Sequence, residues 1–283
     1  MNGRQRGIAL ISVLLVMSLA LLITSGMLRS HRLSLQGSGQ AMHYVHLRQL
    51  AGAGETWALL QLQDAARASQ QNVDLTQDWA RTAPDFDIEG VQLRVDIEDL
   101  AGRFNLNSLL TQGQIDQVTL DRWGRLLELL DLAPLQLSQV GALQELSQLR
   151  LLPGVDGQLL RQLEPWVAVL PTEAALNINT APALVLRMLD GVEATTADAL
   201  VRQQSATAWA SVQAFTQDPL LSGAGVSRHG LGTGSRWFRI TVQVIQGQNR
   251  LRLATDVERD PDTHQFKILQ RRLLPSSTHE MPR

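Results

Sequence analysis

The sequence predicts an α+β protein in which one long N-terminal helix packs on an antiparallel sheet, with an all-helical domain inserted between the strands. Three observations support this class. An uncharged apolar run opens the chain, two blocks alternate between apolar and polar residues, and a helical repeat lies between those blocks. With 283 residues, of which 44% are hydrophobic and 18% charged, the chain is long enough for two compact units.

The composition excludes several classes of function. A formal net charge of -2 gives no cationic excess for nucleic acid, and the lack of cysteine excludes disulfides and thiol chemistry. The G-x-S-x-G, H-E-x-x-H and P-loop patterns do not occur in the sequence. His43 and His46 are three residues apart on a predicted helix, but no third metal ligand accompanies them. We therefore expect no catalytic residues, no metal site, no cofactor and no enzymatic activity.

The apolar run covers Ile8 to Leu28 and contains no charged residue. As a helix at roughly 1.5 Å per residue it spans about 31 Å, which matches the hydrocarbon core of a bilayer. A secretory signal peptide has a shorter apolar region and an A-x-A-like cleavage site. Basic residues stand on both sides of the run, so the positive-inside rule leaves its orientation open.

Gly7 directly precedes this run, after the short basic leader MNGRQRG. The arrangement resembles a type IV prepilin leader, which implies cleavage after Gly7, methylation of Ile8 and retention of the apolar helix. An ordinary signal anchor with a chance glycine is the alternative. Most pilin-like subunits carry Glu at the fifth mature position, where this chain has Ser12. A carboxylate there can neutralise the free amine of the subunit above, so a subunit at a filament tip can do without it.

An interrupted apolar stripe predicts that the helix continues from Arg29 to about Ala68. Glycines in this part weaken the helix and indicate bending or close packing of another backbone. They are Gly37, Gly39, Gly52 and Gly54.

Two blocks of alternating residues predict the sheet. FDIEGVQLRVDIED reads as a hairpin that turns at Gly90, and WFRITVQVI, NRLRLATDVER and FKILQRRLL read as three further strands. Gly247 marks one of the turns between them, and Asp260 and Asp262 flank a proline as turn formers in the other. The tail from Pro275 is expected to be loose.

Between these blocks, residues 112 to 221 predict helices joined by short turns. The segment LRLLPGVD at 149–156 aligns with LRMLDGVE at 186–193, so a unit of helix, glycine turn and helix repeats with a period of 37 residues. The segment NINT at 177–180 is expected to cap the start of the second copy, with Pro182 in its first turn. The following segment from Gly223 to Gly234 is expected to be a mobile loop.

Helix-hairpin-helix units often bind DNA through a G-x-G turn whose amides approach a phosphate. In this chain the second glycine is replaced by Asp156 in one copy and Glu193 in the other. Residues 112–235 contain 12 acidic and 7 basic side chains, a balance that repels a polyanion. The hairpins are therefore expected to be packing units.

The segment DLAGRFNLN makes a family resemblance specific. Together with SQLRLLPGVD, LNINTAPALVLRML and GTGSRWFRITVQV, in that order, it resembles general secretion pathway protein K, a minor pseudopilin of bacterial type II secretion. The likeness covers Met1 to about Arg259. The residues that carry it are Asp99, Gly102, Arg103, Phe104, Asn105, Asn107, Asn177, Asn179 and Thr180.

The resemblance implies a non-enzymatic subunit at the tip of the pseudopilus, anchored once in the inner membrane with its C-terminal domain in the periplasm. It implies priming of pseudopilus assembly and support for the export of folded proteins across the outer membrane. The implied partners are the I- and J-type minor pseudopilins, the major pseudopilin, the inner-membrane assembly platform and the prepilin peptidase. A membrane-anchored DNA-uptake receptor is the alternative.

The family commonly has an Asp-rich calcium loop between the first inserted helices, and the shorter, less acidic segment here makes calcium doubtful. The resemblance also implies an inserted domain of SAM-like, helix-hairpin-helix type. The predicted divisions are a leader at 1–7, a transmembrane helix at 8–28, a pilin-like α+β domain at 29–111 and 236–274, the insert at 112–235 and a loose tail at 275–283.

Overall fold

The structure, a computed structural model, describes residues 3–68, 72–81, 85–88, 90–111, 114–137 and 141–275. Side chains are described for all of these except 3–12, 32–40, 110–111 and 114–115. The contacts divide the chain into two units, Met1–Leu50 and Ala51–Arg283, and each is described by itself.

Within the described residues, the predicted long helix, hairpin and three C-terminal strands follow in the expected order, and further short strands and 3-10 helices lie between them. The α-helices are α1 (Gly3–Ala68), α2 (Gln117–Leu129), α3 (Gly157–Leu163), α4 (Ala183–Leu186), α5 (Ala194–Ala206) and α6 (Val212–Thr216). The strands are β1 (Phe86–Ile88), β2 (Val91–Asp99), β3 (Phe104–Asn105), β4 (Leu110–Thr111), β5 (Gln114–Ile115), β6 (Val167–Ala168), β7 (Leu176–Asn177), β8 (Leu231–Gly232), β9 (Trp237–Gln246), β10 (Asn249–Arg259) and β11 (Phe266–Leu274). Short 3-10 helices occupy Asp78–Ala80, Leu100–Gly102, Leu106–Leu109, Leu146–Leu151 and Pro219–Leu221.

The first unit contains the N-terminal part of α1. Residues Val13–His31 have a mean hydropathy of 1.8 and no part of them is buried. By length and composition this stretch is a candidate to cross a membrane, and it overlaps the predicted span. Helix α1 ends at Ala68, as the apolar stripe predicts.

The second unit contains a five-stranded sheet in the order β1-β2-β9-β10-β11, with every neighbouring pair antiparallel. Both predicted glycine turns are confirmed, since Gly90 has φ +78° and Gly247 has φ +59°. Asp260 is a turn former, because its carboxylate accepts hydrogen bonds from the amides of Asp262 and Thr263 at 3.0 and 2.8 Å. The predicted antiparallel sheet is therefore confirmed, including its hairpins.

Within this unit, residues from Ala51 onwards in α1 pack on the sheet. Ala51, Ala58 and Leu62 are buried on one face of the helix. Gly54 approaches the sheet so closely that a Cβ atom there would lie 2.8 Å from Cγ1 of Val242. A glycine of α1 is therefore closely packed, but by side chains and not by another backbone as predicted.

Two neighbouring glycines in α1 should respond to alanine in opposite directions. Gly54→Ala should lower the free energy of unfolding by about 1–3 kcal/mol, because Val242 is fully buried in a central strand and cannot retreat. Gly52→Ala should raise it by about 1 kcal/mol, because nothing lies within 4 Å of the added methyl and alanine favours the helix. Urea unfolding followed by tryptophan fluorescence measures both, since all six tryptophans lie after Ala51. A shift of the same sign in both variants would contradict the close approach at Gly54.

Between β2 and β9 the chain builds its own hydrophobic core. Phe104 stacks on Trp123 at a centroid distance of 5.5 Å, and Leu149, Leu163 and Leu189 are fully buried in the same cluster. The order of elements confirms an insertion between strands of one sheet, but the insertion is not all-helical as predicted, because the short strands β3 to β8 pair with one another inside it. Its division at 112–235 stays a prediction, because residues 112 and 113 lie outside the described part of the chain.

The connection after α2 differs from the expected direct run between helices. Residues 130–137 and 141–145 are mainly irregular, and Leu137 and Leu143 contribute to the core. The indole nitrogen of Trp123 donates to the Leu135 carbonyl at 3.2 Å. Leucines in this segment therefore fill the core without forming a helix. Their apolar character predicts burial but does not distinguish a helix from an irregular segment.

The glycine-rich segment 223–234 is bonded to the rest of the unit, contrary to the expectation of a mobile loop. Strand β8 pairs in parallel with β7, and Arg122 donates to the carbonyl oxygens of His229 and Ser227 at 2.6 and 2.9 Å. His229 also pairs with Asp116 at 2.6 Å beside a cleft of about 210 Å³. These contacts come from residues more than 50 positions earlier, so local composition could not indicate them.

Candidate functional site: a buried polar junction

Four of the family-motif residues, Asp99, Gly102, Asn177 and Thr180, meet at the end of β2. The Asp99 carboxylate accepts hydrogen bonds from Asn177 Nδ2 and Thr180 Oγ1, both at 2.7 Å, and from the Ala101 amide at 2.9 Å. Asp99 is 4% exposed and Asn177 is fully buried. The two quoted motifs, 78 residues apart in sequence, therefore form one buried cluster.

The charge of Asp99 is subject to opposing influences. Burial raises the pKa of the Asp99 carboxyl above its usual range, while hydrogen bonds from Ser235, Thr180, Asn177 and the Ala101 amide act to lower it. A carboxyl in this position is removed from solvent and surrounded by donors. Its geometry suits a structural acceptor that organises its neighbours.

Gly102 explains the glycine of the first motif. A Cβ atom there would lie 2.8 Å from both the carbonyl oxygen and Oγ1 of Thr180, and 3.0 Å from the Thr180 carbonyl carbon. Real Cβ atoms do not approach other atoms this closely. Any side chain larger than hydrogen would separate the two motifs.

The side-chain amides of Asn177 and Asn179 form hydrogen bonds with backbone groups. Asn177 Nδ2 also donates to the Val73 carbonyl at 2.9 Å, and its Oδ1 accepts from the Asn179 amide at 3.1 Å. Asn179 exchanges two hydrogen bonds with the Trp209 backbone, at 3.0 and 2.9 Å. These side chains connect the motif to segments both before and after it.

The expectation that NINT caps a helix is wrong. The N-cap of α4 is Pro182, without a side-chain cap hydrogen bond, and the helix begins at Ala183. Asn177 and Thr180 are committed to Asp99, so their side chains are not available to the α4 amides. Distant pairing therefore overrides the local capping preference.

Asn105 and Asn107, in the segment DLAGRFNLN, also form hydrogen bonds with backbone groups through their side-chain amides. Asn105 Nδ2 donates to the Pro171 carbonyl at 2.8 Å and its Oδ1 accepts from the Leu170 amide at 3.1 Å. Asn107 exchanges two hydrogen bonds with the Leu143 backbone, at 2.9 and 2.8 Å, and also donates to the Leu170 carbonyl. The irregular chain around the core is thereby held by amide side chains.

Arg103 completes the junction. Its side chain is 7% exposed, pairs with Glu98 through two nitrogens, and donates to the Glu164 carbonyl at 2.6 Å. Phe104 follows it in β3 and packs on Trp123. We name the set Asp99, Gly102, Arg103, Asn105, Asn107, Asn177, Asn179 and Thr180 the polar junction.

The predicted leader residues are a separate group. Gly7, Ile8 and Ser12 fall within the bounds of α1, but their side chains lie outside the described part of the structure. Cleavage after Gly7, methylation of Ile8 and the tip role of Ser12 stay predictions. The predicted tail at 275–283 lies, apart from Pro275, outside the described residues.

Sequence reasoning missed an ion pair between α1 and β11, in which the acid is buried and the arginine is half-exposed. Glu55, whose side chain is 5% exposed, pairs with Arg271 at 2.6 Å and accepts from Thr255 Oγ1 at 2.6 Å. One signal could have indicated it, because Glu55 lies four residues after Ala51 and three before Ala58 on the apolar stripe. A charged residue at a stripe position predicts a buried partner.

Both copies of the predicted repeat contain a glycine turn that leads into a helix. Gly154 and Gly191 have φ +81° and +65°, and each is followed by an acidic N-cap and a second helix. In the first copy the preceding helix is the 3-10 helix Leu146–Leu151 rather than an α-helix.

Neither hairpin offers its turn amides to a phosphate. In the first copy Asp156 Oδ1 accepts from the amides of Gln158 and Leu159 at 2.9 and 2.8 Å, which occupies the helix N-terminus. In the second copy a Cβ atom on Gly191 would lie 2.7 Å from the Ala224 carbonyl oxygen, so the glycine-rich segment covers that turn.

The fold and the polar junction define an α+β protein whose long N-terminal helix packs on an antiparallel sheet that carries a mainly helical insertion. The solved structure of the GspK-GspI-GspJ complex of enterotoxigenic Escherichia coli contains a chain of this fold. The match has a TM-score of 0.68 and 21% identity, and it covers 84% of this chain and 99% of that chain.

Sequence comparisons agree with the motif resemblance. A family model described as type II secretion system, protein K, matches residues 176–233, which contain the second motif and the second hairpin. Type II secretion system protein K of Klebsiella pneumoniae is 29% identical, over 96% of this chain and 97% of that protein. The corresponding protein of Pseudomonas aeruginosa is 27% identical, over 93% of this chain and 91% of that protein. The resemblance is confirmed, and the chain is a homologue of the type II secretion system K proteins.

Proposed function

We propose that this chain is the minor pseudopilin at the tip of a type II secretion pseudopilus. In this role it primes pseudopilus assembly and supports export of folded proteins across the outer membrane. The observation that carries the proposal is similarity along nearly the whole chain to proteins named type II secretion system protein K. It acts by assembly rather than by catalysis and needs no calcium.

The proposed location is the bacterial inner membrane. The stretch Val13–His31 supplies a single candidate span among the described residues, and the domain after it occupies the periplasm in this proposal. Prepilin peptidase cleaves after Gly7, and Ile8 becomes the methylated N-terminus. The apolar helix is then retained as an anchor before assembly and as a filament segment afterwards.

The proposed partners are the I- and J-type minor pseudopilins, the major pseudopilin and the inner-membrane assembly platform. The related Escherichia coli chain was solved in a complex with GspI and GspJ, which supports the first two. Ser12 supports a place above all other subunits, because no amine above it would require a carboxylate.

Deletion of the gene in its own host tests the proposal. Export of type II substrates into the medium should fall to background and return when the full chain is supplied from a plasmid. As a matched pair, Asp99→Ala should restore export poorly and Asp87→Ala, an aspartate in the exposed β1–β2 hairpin, should restore it fully. Normal export in the deletion strain would refute the proposed role.

A DNA-uptake receptor was the alternative suggested by the hairpins, and the hairpin geometry argues against it. The full chain in detergent should cause no salt-sensitive shift of duplex DNA near 0.15 M salt, because Asp156 occupies one turn and Ala224 covers the other. A gel-shift titration measures this, with a helix-hairpin-helix protein of G-x-G type as the positive control. Binding that weakens steeply with added salt would instead favour the receptor.

A further inference from the structure

Glu55 joins α1 to two strands of the sheet through hydrogen bonds. Its carboxylate accepts from Arg271 Nη2 at 2.6 Å, from Arg271 Nε at 2.9 Å and from Thr255 Oγ1 at 2.6 Å. Glu55 is 4% exposed and Thr255 is fully buried, whereas the Arg271 side chain is 54% exposed. A buried acid on the helix is thus held by two residues of the sheet.

The neighbouring residue adds a steric contact to the same part of the helix. Gly54 lies against Val242, Val95 and Leu93, all with side chains that a Cβ atom would approach within 3.4 Å. Apolar packing is not directional, so apolar contacts alone would allow a helix to shift along the sheet. A two-nitrogen pairing of guanidinium and carboxylate fixes position and orientation together.

Burial raises the pKa of Glu55, but the hydrogen bonds from Arg271 and Thr255 and the charge of Arg271 outweigh it, so the pKa is lowered. The folded protein therefore favours the ionised carboxyl. Stability from this group is present above the pKa of the unfolded chain and is lost as the pH falls through the folded pKa.

We infer that Glu55, Thr255 and Arg271 form a register lock, a device that fixes residues 51–68 of α1 at one position along the sheet. The lock rests on these contacts and not on the identity of any partner. In the proposed secretion role, a movement of residues 51–68 along the helix axis would be transmitted to β10 and β11 through these contacts.

Hydrogen exchange of the full chain in detergent tests the lock. At pH 7, Glu55→Gln should accelerate amide exchange in residues 51–68 by about tenfold, because the neutral amide cannot replace the ion pair. Asp256→Asn is the matched control. It makes the same chemical change in an ion pair with Arg239 at 2.7 Å, whose side chains are 15% and 16% exposed and which joins β9 to β10 without touching α1. Exchange in residues 51–68 should be unchanged in that control.

A charge-swap variant distinguishes the effect of the ion pair from the effect of side-chain packing. The double variant Glu55→Arg with Arg271→Glu should return exchange in residues 51–68 towards the unmodified rate, with tryptophan fluorescence confirming that each variant is folded. In acid, Glu55→Gln and the unmodified chain should converge when compared at the same pH. Unchanged exchange in Glu55→Gln, an equal effect of Asp256→Asn, or no recovery in the folded swap would overturn the lock.

Discussion

Replacing Asp99 by alanine is expected to lower the free energy of unfolding by about 3–5 kcal/mol. The substitution leaves Asn177 Nδ2, Thr180 Oγ1 and the Ala101 amide without their shared acceptor inside the protein. Each buried donor without a partner costs about 1–3 kcal/mol. Urea unfolding followed by tryptophan fluorescence measures the loss.

Asp87→Ala is the matched control for this prediction. Asp87 accepts from the Gly90 amide at 3.0 Å, but it does so in the exposed β1–β2 hairpin, where water can replace the lost bond. Its effect should be much smaller. If the two variants unfolded at the same urea concentration, the junction would not be the organising contact that the geometry indicates.

Gly102→Ala is the second substitution with a large expected effect. The added methyl would lie 2.8 Å from the Thr180 carbonyl oxygen, a backbone atom whose neighbours Asn177 and Asn179 are fully buried. We expect a loss of about 3 kcal/mol in the free energy of unfolding, at the upper end of the usual cost of overpacking.

Gly124→Ala provides the opposite case. Gly124 is also within the second unit, but nothing lies within 4 Å of its hypothetical Cβ atom and it sits inside α2. Alanine should stabilise α2 by up to about 1 kcal/mol. Thermal unfolding compares the two variants, and equal midpoints would show that the Gly102 contact can relax.

The sequence predicted those parts of the fold that depend on local pattern. Alternating residues and a glycine turn identified β1, β2 and the three C-terminal strands, and the apolar stripe located the end of α1 at Ala68. The glycine turns of the hairpin repeat were predicted for the same reason. In each case the information lies within a few residues of the feature.

The contacts of the polar junction and the ion pair of Glu55 could not be predicted in the same way. Asp99 and Asn177 are 78 residues apart, and Glu55 and Arg271 are 216 apart, so no local pattern connects them. The family resemblance named Asp99 and Asn177 without assigning their contact. The NINT segment shows the consequence, since its side chains bond to Asp99 and Val73 and not to the helix that they were predicted to cap.

The polar junction also gives the motif a physical meaning. Amides of asparagine replace backbone partners where the inserted chain is irregular, and one carboxylate receives the donors at the end of β2. The motif residues are buried, except for the partly buried Asn107 and Thr180, and their polar groups are used within the fold. They therefore serve the shape of the insertion, and the exposed surfaces remain for partners.

The position of this chain along a pseudopilus tests the central claim most directly. Fibres produced by overexpression of the major pseudopilin in the host, carrying an epitope-tagged copy of this chain, would be labelled with gold-conjugated antibody and viewed by electron microscopy. The proposed tip role predicts label at one end of a fibre and none along its length. Label distributed along the fibres would contradict the role assigned to Ser12 and to the chain as a whole.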